Sequence, residues 1–118
     1  MIGIGQYIFG VAYSALYAIG SASLSGLTPN MMNGNVQTVT ATASGVMVTP
    51  SNAAAGMTLI LIITQDGTGS RVMTWPSTFH FPGGTEGVLS TAAGAIDVLS
   101  GVYNGTNWLV ALSKDHKA

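Results

Sequence analysis

The stretch that most constrains this chain is residues 58–76, TLILIITQDGTGSRVMTWP. Residues 57–64 are apolar at nearly every position, the pattern of a central strand covered on each side. Fully burying each Leu or Ile of that run contributes about 1.5–3 kcal/mol, so it anchors a core. Residues 65–70 follow as a polar connection in which Gly67 and Gly69 accept positive φ without steric cost. Residues 71–75 then read as a returning strand, with Arg71, Met73 and Trp75 on one face and Val72 and Thr74 on the other. Pro76 has no N–H to donate and ends the pairing. The expected centre of the fold is therefore a β-hairpin.

The remainder of the body follows the same period of two. Val36, Thr38, Thr40 and Thr42 alternate with Gln37, Val39 and Ala41, a Thr-rich strand. Gly45 breaks it, and residues 46–49 form a short strand stopped by Pro50. Ser51 and Asn52 supply turn chemistry, and residues 53–56 an irregular or helical turn. Phe79 to Phe81 is a short extended piece closed by Gly83 and Gly84, and residues 88–90 are a brief strand. Residues 95–103 form a longer strand whose Gly101 implies a bulge or a close backbone approach. Asn104-Gly-Thr-Asn107 is a hairpin turn, and residues 108–113 return from it. The expectation is an all-β body, an antiparallel sandwich or jelly roll of about seven or eight short strands.

Charge sets the next limit. Only 6% of the 118 residues are charged, against about 25% in ordinary soluble domains. Asp66 is the first charged side chain, so the first 65 residues carry none. Such a chain exposes much uncharged surface, which marks an interaction site, and implies a subunit covered by copies of itself or by a larger assembly. Nucleic acid is excluded as a partner, because phosphate binding needs clustered Lys and Arg, and here there are only Arg71, Lys114 and Lys117. With no cysteine there are no disulfides and no thiolate metal sites.

Residues 1–27, MIGIGQYIFGVAYSALYAIGSASLSGL, admit three readings. A membrane span over residues 2–24 has nearly the required length, but contains Gln6 and several Ser and Gly, and lacks flanking Lys or Arg. A signal peptide lacks its basic start. The preferred reading is an arm that orders against neighbouring subunits through Tyr7, Phe9, Tyr13 and Tyr17. The turn-rich residues 27–35 then act as a hinge. The division is thus an arm and hinge over 1–35, a body over 36–113 and a solvated tail over 114–118.

No catalytic, cofactor or metal site can be assembled. His80 sits in a Phe-rich turn and His116 in the tail, with no positioned acid–base partner. Asp66-Gly-Thr-Gly is turn chemistry rather than a cation loop, which needs more oxygen ligands at fixed spacing. Asp97, a lone acid inside Ala-Ile-Asp-Val-Leu, reads either as an outward edge position or as a buried acid paired with Arg71. Trp75, Phe81, Tyr103 and Trp108 read as core or interface aromatics before they read as a sugar-stacking platform.

Several ordered blocks, Ile62-Ile-Thr-Gln-Asp-Gly-Thr-Gly-Ser-Arg71, Thr74-Trp-Pro76, Phe81-Pro-Gly-Gly-Thr85, residues 89–99 and Tyr103-Asn-Gly-Thr-Asn-Trp108, carry a resemblance. Together they resemble a module of tailed-bacteriophage structural proteins, found in tail-fibre segments and in small virion proteins. The resemblance spans residues 55–112 and implies a non-enzymatic β-sandwich that commonly forms trimers. The expectation drawn from it is a capsid decoration (cement) protein on the virion surface, bound to itself as a homotrimer and to the major capsid protein. A tail-fibre or receptor-binding component is the alternative, and a membrane-associated protein the weaker one.

Overall fold

The computed structural model describes residues 7–8, 11–12 and 16–118, with side chains from residue 16 onward. Two short strands, β1 (Tyr7–Ile8) and β2 (Val11–Ala12), pair antiparallel with each other. The remaining strands are β3 (Leu16–Ser23), β4 (Val36–Ala43), β5 (Gly45–Val46), β6 (Thr58–Gln65), β7 (Met73–Thr74), β8 (Phe79–His80), β9 (Ile96–Tyr103) and β10 (Trp108–Ser113). One sheet of six strands runs in the order β3-β4-β6-β9-β10-β8, and β5 pairs with β7 beside it.

The all-β class stands, but the strand directions differ from expectation. β3, β4 and β6 are parallel neighbours, β9 is antiparallel to both β6 and β10, and β8 joins β10 in parallel. A parallel pair needs a crossover of about a dozen or more residues. Residues 24–35 and 44–57, whose Pro, Asn and Gly content marks turns, are those crossovers.

The expected hairpin over 58–76 does not form. Both edges of β6 are already taken, by β4 and by β9, so the chain leaving Gln65 has no free edge to return along. Its short strand β7 pairs instead with β5. Residues 88–90 are not a strand either, although Leu89 is buried. The β9–β10 hairpin forms at the expected turn, where Asn104 Oδ1 accepts from the N–H groups of Thr106 and Asn107 at 2.9 and 2.7 Å.

The boundary at residue 35 also moves. Leu16–Ser23 is a strand of the main sheet, and Leu24, Leu27 and Met31 enter the core. Most of the segment assigned to a hinged arm therefore belongs to the body. Among the described residues no helix is long and apolar enough to cross a membrane, and residues 16–23 are extended.

Among the described residues the core lies on one face of the sheet. Val39 and Ala41 of β4, Leu59, Leu61 and Ile63 of β6, Leu99 of β9 and Trp108 and Val110 of β10 all point to that side. The layer facing them is built from connecting segments, through Leu27, Met31, Met47, Met73, Trp75, Phe81 and Leu89. The only paired strands in that layer among the described residues are the two-residue β5 and β7, which carries Met73, so most of the cover over the six-stranded sheet is loop.

Loops in such a layer have few strand neighbours to bond, and their buried backbone groups still need partners. Three buried polar side chains on the core face supply them. Gln37 Nε2 donates to the carbonyls of Asn30 and Gly34 at 2.8 and 2.9 Å. Gln65 bonds both backbone groups of Arg71 and the Ser90 carbonyl. Asp97, 2% exposed, accepts from the N–H groups of Ser90 and Asp115 at 2.6 and 2.8 Å.

Candidate interaction surfaces

The aromatic side chains named from the sequence converge, and they do so inside the molecule. Trp75 packs on Phe81 with ring centroids 5.5 Å apart, Phe79 bridges to Trp108 at 6.4 Å, and Tyr103 stacks on Trp108 at 5.1 Å. Trp75, Phe79, Phe81 and Trp108 are buried, and Trp75 Nε1 donates to the Gly87 carbonyl at 2.7 Å. Sugar stacking needs open ring faces, and these rings are spent on one another. Phe79, at the hub, is the member the sequence reading left out.

Asp66 and Arg71 form the ion pair of the turn after β6. Arg71 reaches Asp66 through two guanidinium nitrogens, at 3.2 and 2.8 Å, and Asp66 also accepts from the N–H groups of Thr68 and Gly69. Arg71 is thus committed to Asp66, and the expected Arg71–Asp97 pair is absent; Asp97 is satisfied by backbone donors. Gly69 holds this turn with φ +72, and a Cβ there would lie 2.6 Å from the Thr91 carbonyl oxygen.

The Arg71 hydrogen bond, helped by the Gly69 and Thr68 N–H groups, lowers the Asp66 carboxyl from 3.8 to about 2. Because the folded value lies below the unfolded one, the pair's stabilisation is complete above that unfolded value and is lost as pH falls through the folded one. Thermal unfolding measured from about pH 5 down to about pH 2 should therefore show an acid-dependent loss that is smaller in Asp66→Asn. An identical acid profile in the variant would show that the turn does not depend on the ionised pair.

Among the described residues, the opposite side of the sheet is the open one. The pairing register places Ile60 and Ile62 of β6 beside Val36 and Thr38 of β4 and beside Val98 and Ser100 of β9. Leu109 and Ala111 of β10 continue the row next to Val102 and Ser100. These side chains are half-buried or exposed, Val102 at 38%, Leu109 at 48% and Leu16 of β3 at 67%. Toward β8 the surface dips into a shallow groove of about 610 Å³ between Pro82 and the Val102–Leu109 pair, with His80, Ser100 and Thr58 as polar lining. His80 is exposed on this face.

Of the residues proposed for an arm, Tyr17 lies on β3 and is 40% exposed. For Tyr7 only its backbone pairing in β1 is described, and Phe9 and Tyr13 lie outside the described residues. Among the described residues no group of His, Asp or Glu is assembled to hold a metal ion.

Comparison with known families decides the broader question. Residues 27–108 match the family model described as "Putative phage tail fibre C-terminal domain". The chain belongs to this phage tail fibre domain family. No curated protein and no solved structure matches it. The matched residues take in strands β4 to β9 and most of the loop layer, while β3 and all of β10 but Trp108 lie outside the match. Membership makes this tail fibre domain a phage virion structural domain, as the sequence blocks imply. It favours the tail-fibre alternative over the head-decoration reading ranked first from the sequence, for which the match offers no support.

Proposed function

We propose that the chain serves as a non-catalytic structural domain of a phage tail fibre, assembling as a homotrimer and joining other proteins of the tail. The family match over residues 27–108 carries the reading. The charge distribution supports it: Asp97 is the sole charged residue within any strand from β3 to β10, and the others lie in loops and tail. A structure of this kind offers broad uncharged surfaces for packing and confines solvation to its rim. Among the described residues Trp75, Phe79, Phe81 and Trp108 are buried against one another and offer no open platform for glycan stacking, so the domain's task in this reading is assembly.

The test is location. Gold-labelled antibodies raised against the purified chain, applied to intact virions, should decorate the tail. Label on the head shell with none on the tail would overturn the reading and restore head decoration.

A further inference from the structure

The six-stranded sheet has one face against the core and one that no other described residues cover, and this is the wrong face to leave open. Sheets with parallel strands are normally covered on both sides, and β3, β4 and β6 are parallel. Antiparallel sheets that expose one face usually do so with alternating polar residues. Here β6 and β9 present Ile60, Ile62, Ile96 and Val98 outward, and Val102 and Leu109 extend the patch. Threonine, serine and alanine fill the gaps, and no Asp, Glu, Lys or Arg occurs on this face.

We infer that this face is an interface with other copies of the same chain, so that the open side of the sheet is covered between subunits, facing the axis of the homotrimer, rather than within one. Three observations select that occupant. An uncharged face is matched by an uncharged partner, since a charged one would lose its hydration without gaining a counter-charge. The same face on another copy meets that requirement, and a closed rotational assembly of identical chains can turn that face of every copy toward the common axis. The area also suffices. A strand spacing of about 4.8 Å and a rise of about 3.3 Å per residue give the five longest strands a face on the order of 600 Å² in projection. That is close to the roughly 800 Å² of accessible surface each partner buries in a standard interface.

The inference deepens the reading of the chain as an assembling subunit and rests on it, but it is tested separately. Analytical ultracentrifugation of the full-length chain should give an oligomer. The double variant Val102→Lys with Leu109→Lys should sediment at the 12.0 kDa of one chain while keeping its circular dichroism spectrum. Both positions face solvent within one chain, so the fold tolerates the change. A wild-type chain that is monomeric at micromolar concentration would overturn the inference, whether residues 1–15 or a different virion protein cover the face. An oligomer that persists in the variant would overturn it too, by placing the interface elsewhere. The chain has no cysteine, so Ala111→Cys, exposed on this face, can carry a single fluorescent label; labels should self-quench in the assembly, and unquenched labels in an intact oligomer would also count against it. Tail labelling of virions combined with a monomeric chain would leave the tail reading standing and remove only this interface.

Discussion

Trp108→Ala should destabilise the domain by about 3–5 kcal/mol, a cost typical of emptying a large aromatic site. Native domains hold only about 5–15 kcal/mol in total, so the variant is expected to sit near its unfolding threshold. The reason is where Trp108 stands. It is 0% exposed, begins β10, pairs with Tyr103 across the hairpin and with Phe79 of β8, and touches both rings. Removing its indole takes away the ring packing beneath the β8–β10 pair and opens a cavity between the sheet and the loop layer. Trp108→Phe should lose much less. It keeps most of the ring volume and deletes an indole N–H that has no hydrogen-bond partner among the described residues. Guanidinium unfolding followed by circular dichroism gives the comparison directly. Equal midpoints for wild type and Trp108→Ala would mean that the aromatic cluster is not what ties β8 and β10 to the core.

Local chemistry accounts for the parts of the fold that were legible in the sequence. β4, β6, β9 and β10 lie where period two, apolar runs and the Asn104–Asn107 turn placed them, because each signal is carried by residues adjacent in the chain. Pairing was not legible. Whether residues 71–75 return along β6 depends on who else claims its edges, and the claimants β4 and β9 are far away in sequence. Nor did the absence of charge before Asp66 distinguish an arm from a strand. Leu16–Ser23 has Ile19 and Ala22 half-buried against the core and its other residues exposed, so its weak alternation hides a strand at the sheet's edge.

The candidate site shows the same division. The four aromatics were recognisable as a burial set because large rings seldom stay in water, and the turn role of Asp66 followed from its neighbours. The partner of Arg71 was not: it is the near Asp66 rather than the distant Asp97. The buried glutamines were missed, although a signal existed. Gln37 is in phase with Val39 and Ala41, and Gln65 with Leu61 and Ile63. A polar residue in phase with a buried row must find partners inside, and that phase alone marks it as a clamp.

Gln65 is the stronger of the two clamps, and Gln65→Glu should be among the most damaging conservative changes in the chain. Its Nε2 donates to the carbonyls of Arg71 and Ser90, both at 2.9 Å, while Oε1 accepts from the Arg71 N–H at 2.9 Å. The side chain is 3% exposed. Glutamate has the same shape but would turn an oxygen toward two carbonyl oxygens. Ionised, it is a buried charge facing like dipoles; protonated, it has one donor for two acceptors. Each buried polar group left without a partner costs about 1–3 kcal/mol, and a charged one more, so a loss of at least about 3 kcal/mol is expected at neutral pH. Burial would raise the new carboxyl above its unfolded value, so the penalty is complete above the raised value and shrinks as pH falls toward the ordinary carboxyl range. Gln65→Met, which forfeits the same hydrogen bonds without adding charge, should fall between wild type and Gln65→Glu at neutral pH and show no such recovery in acid. If Gln65→Glu proves as stable as Gln65→Met at every pH, the clamp holds its loops by shape; the ordering expected here requires that it hold them by donors.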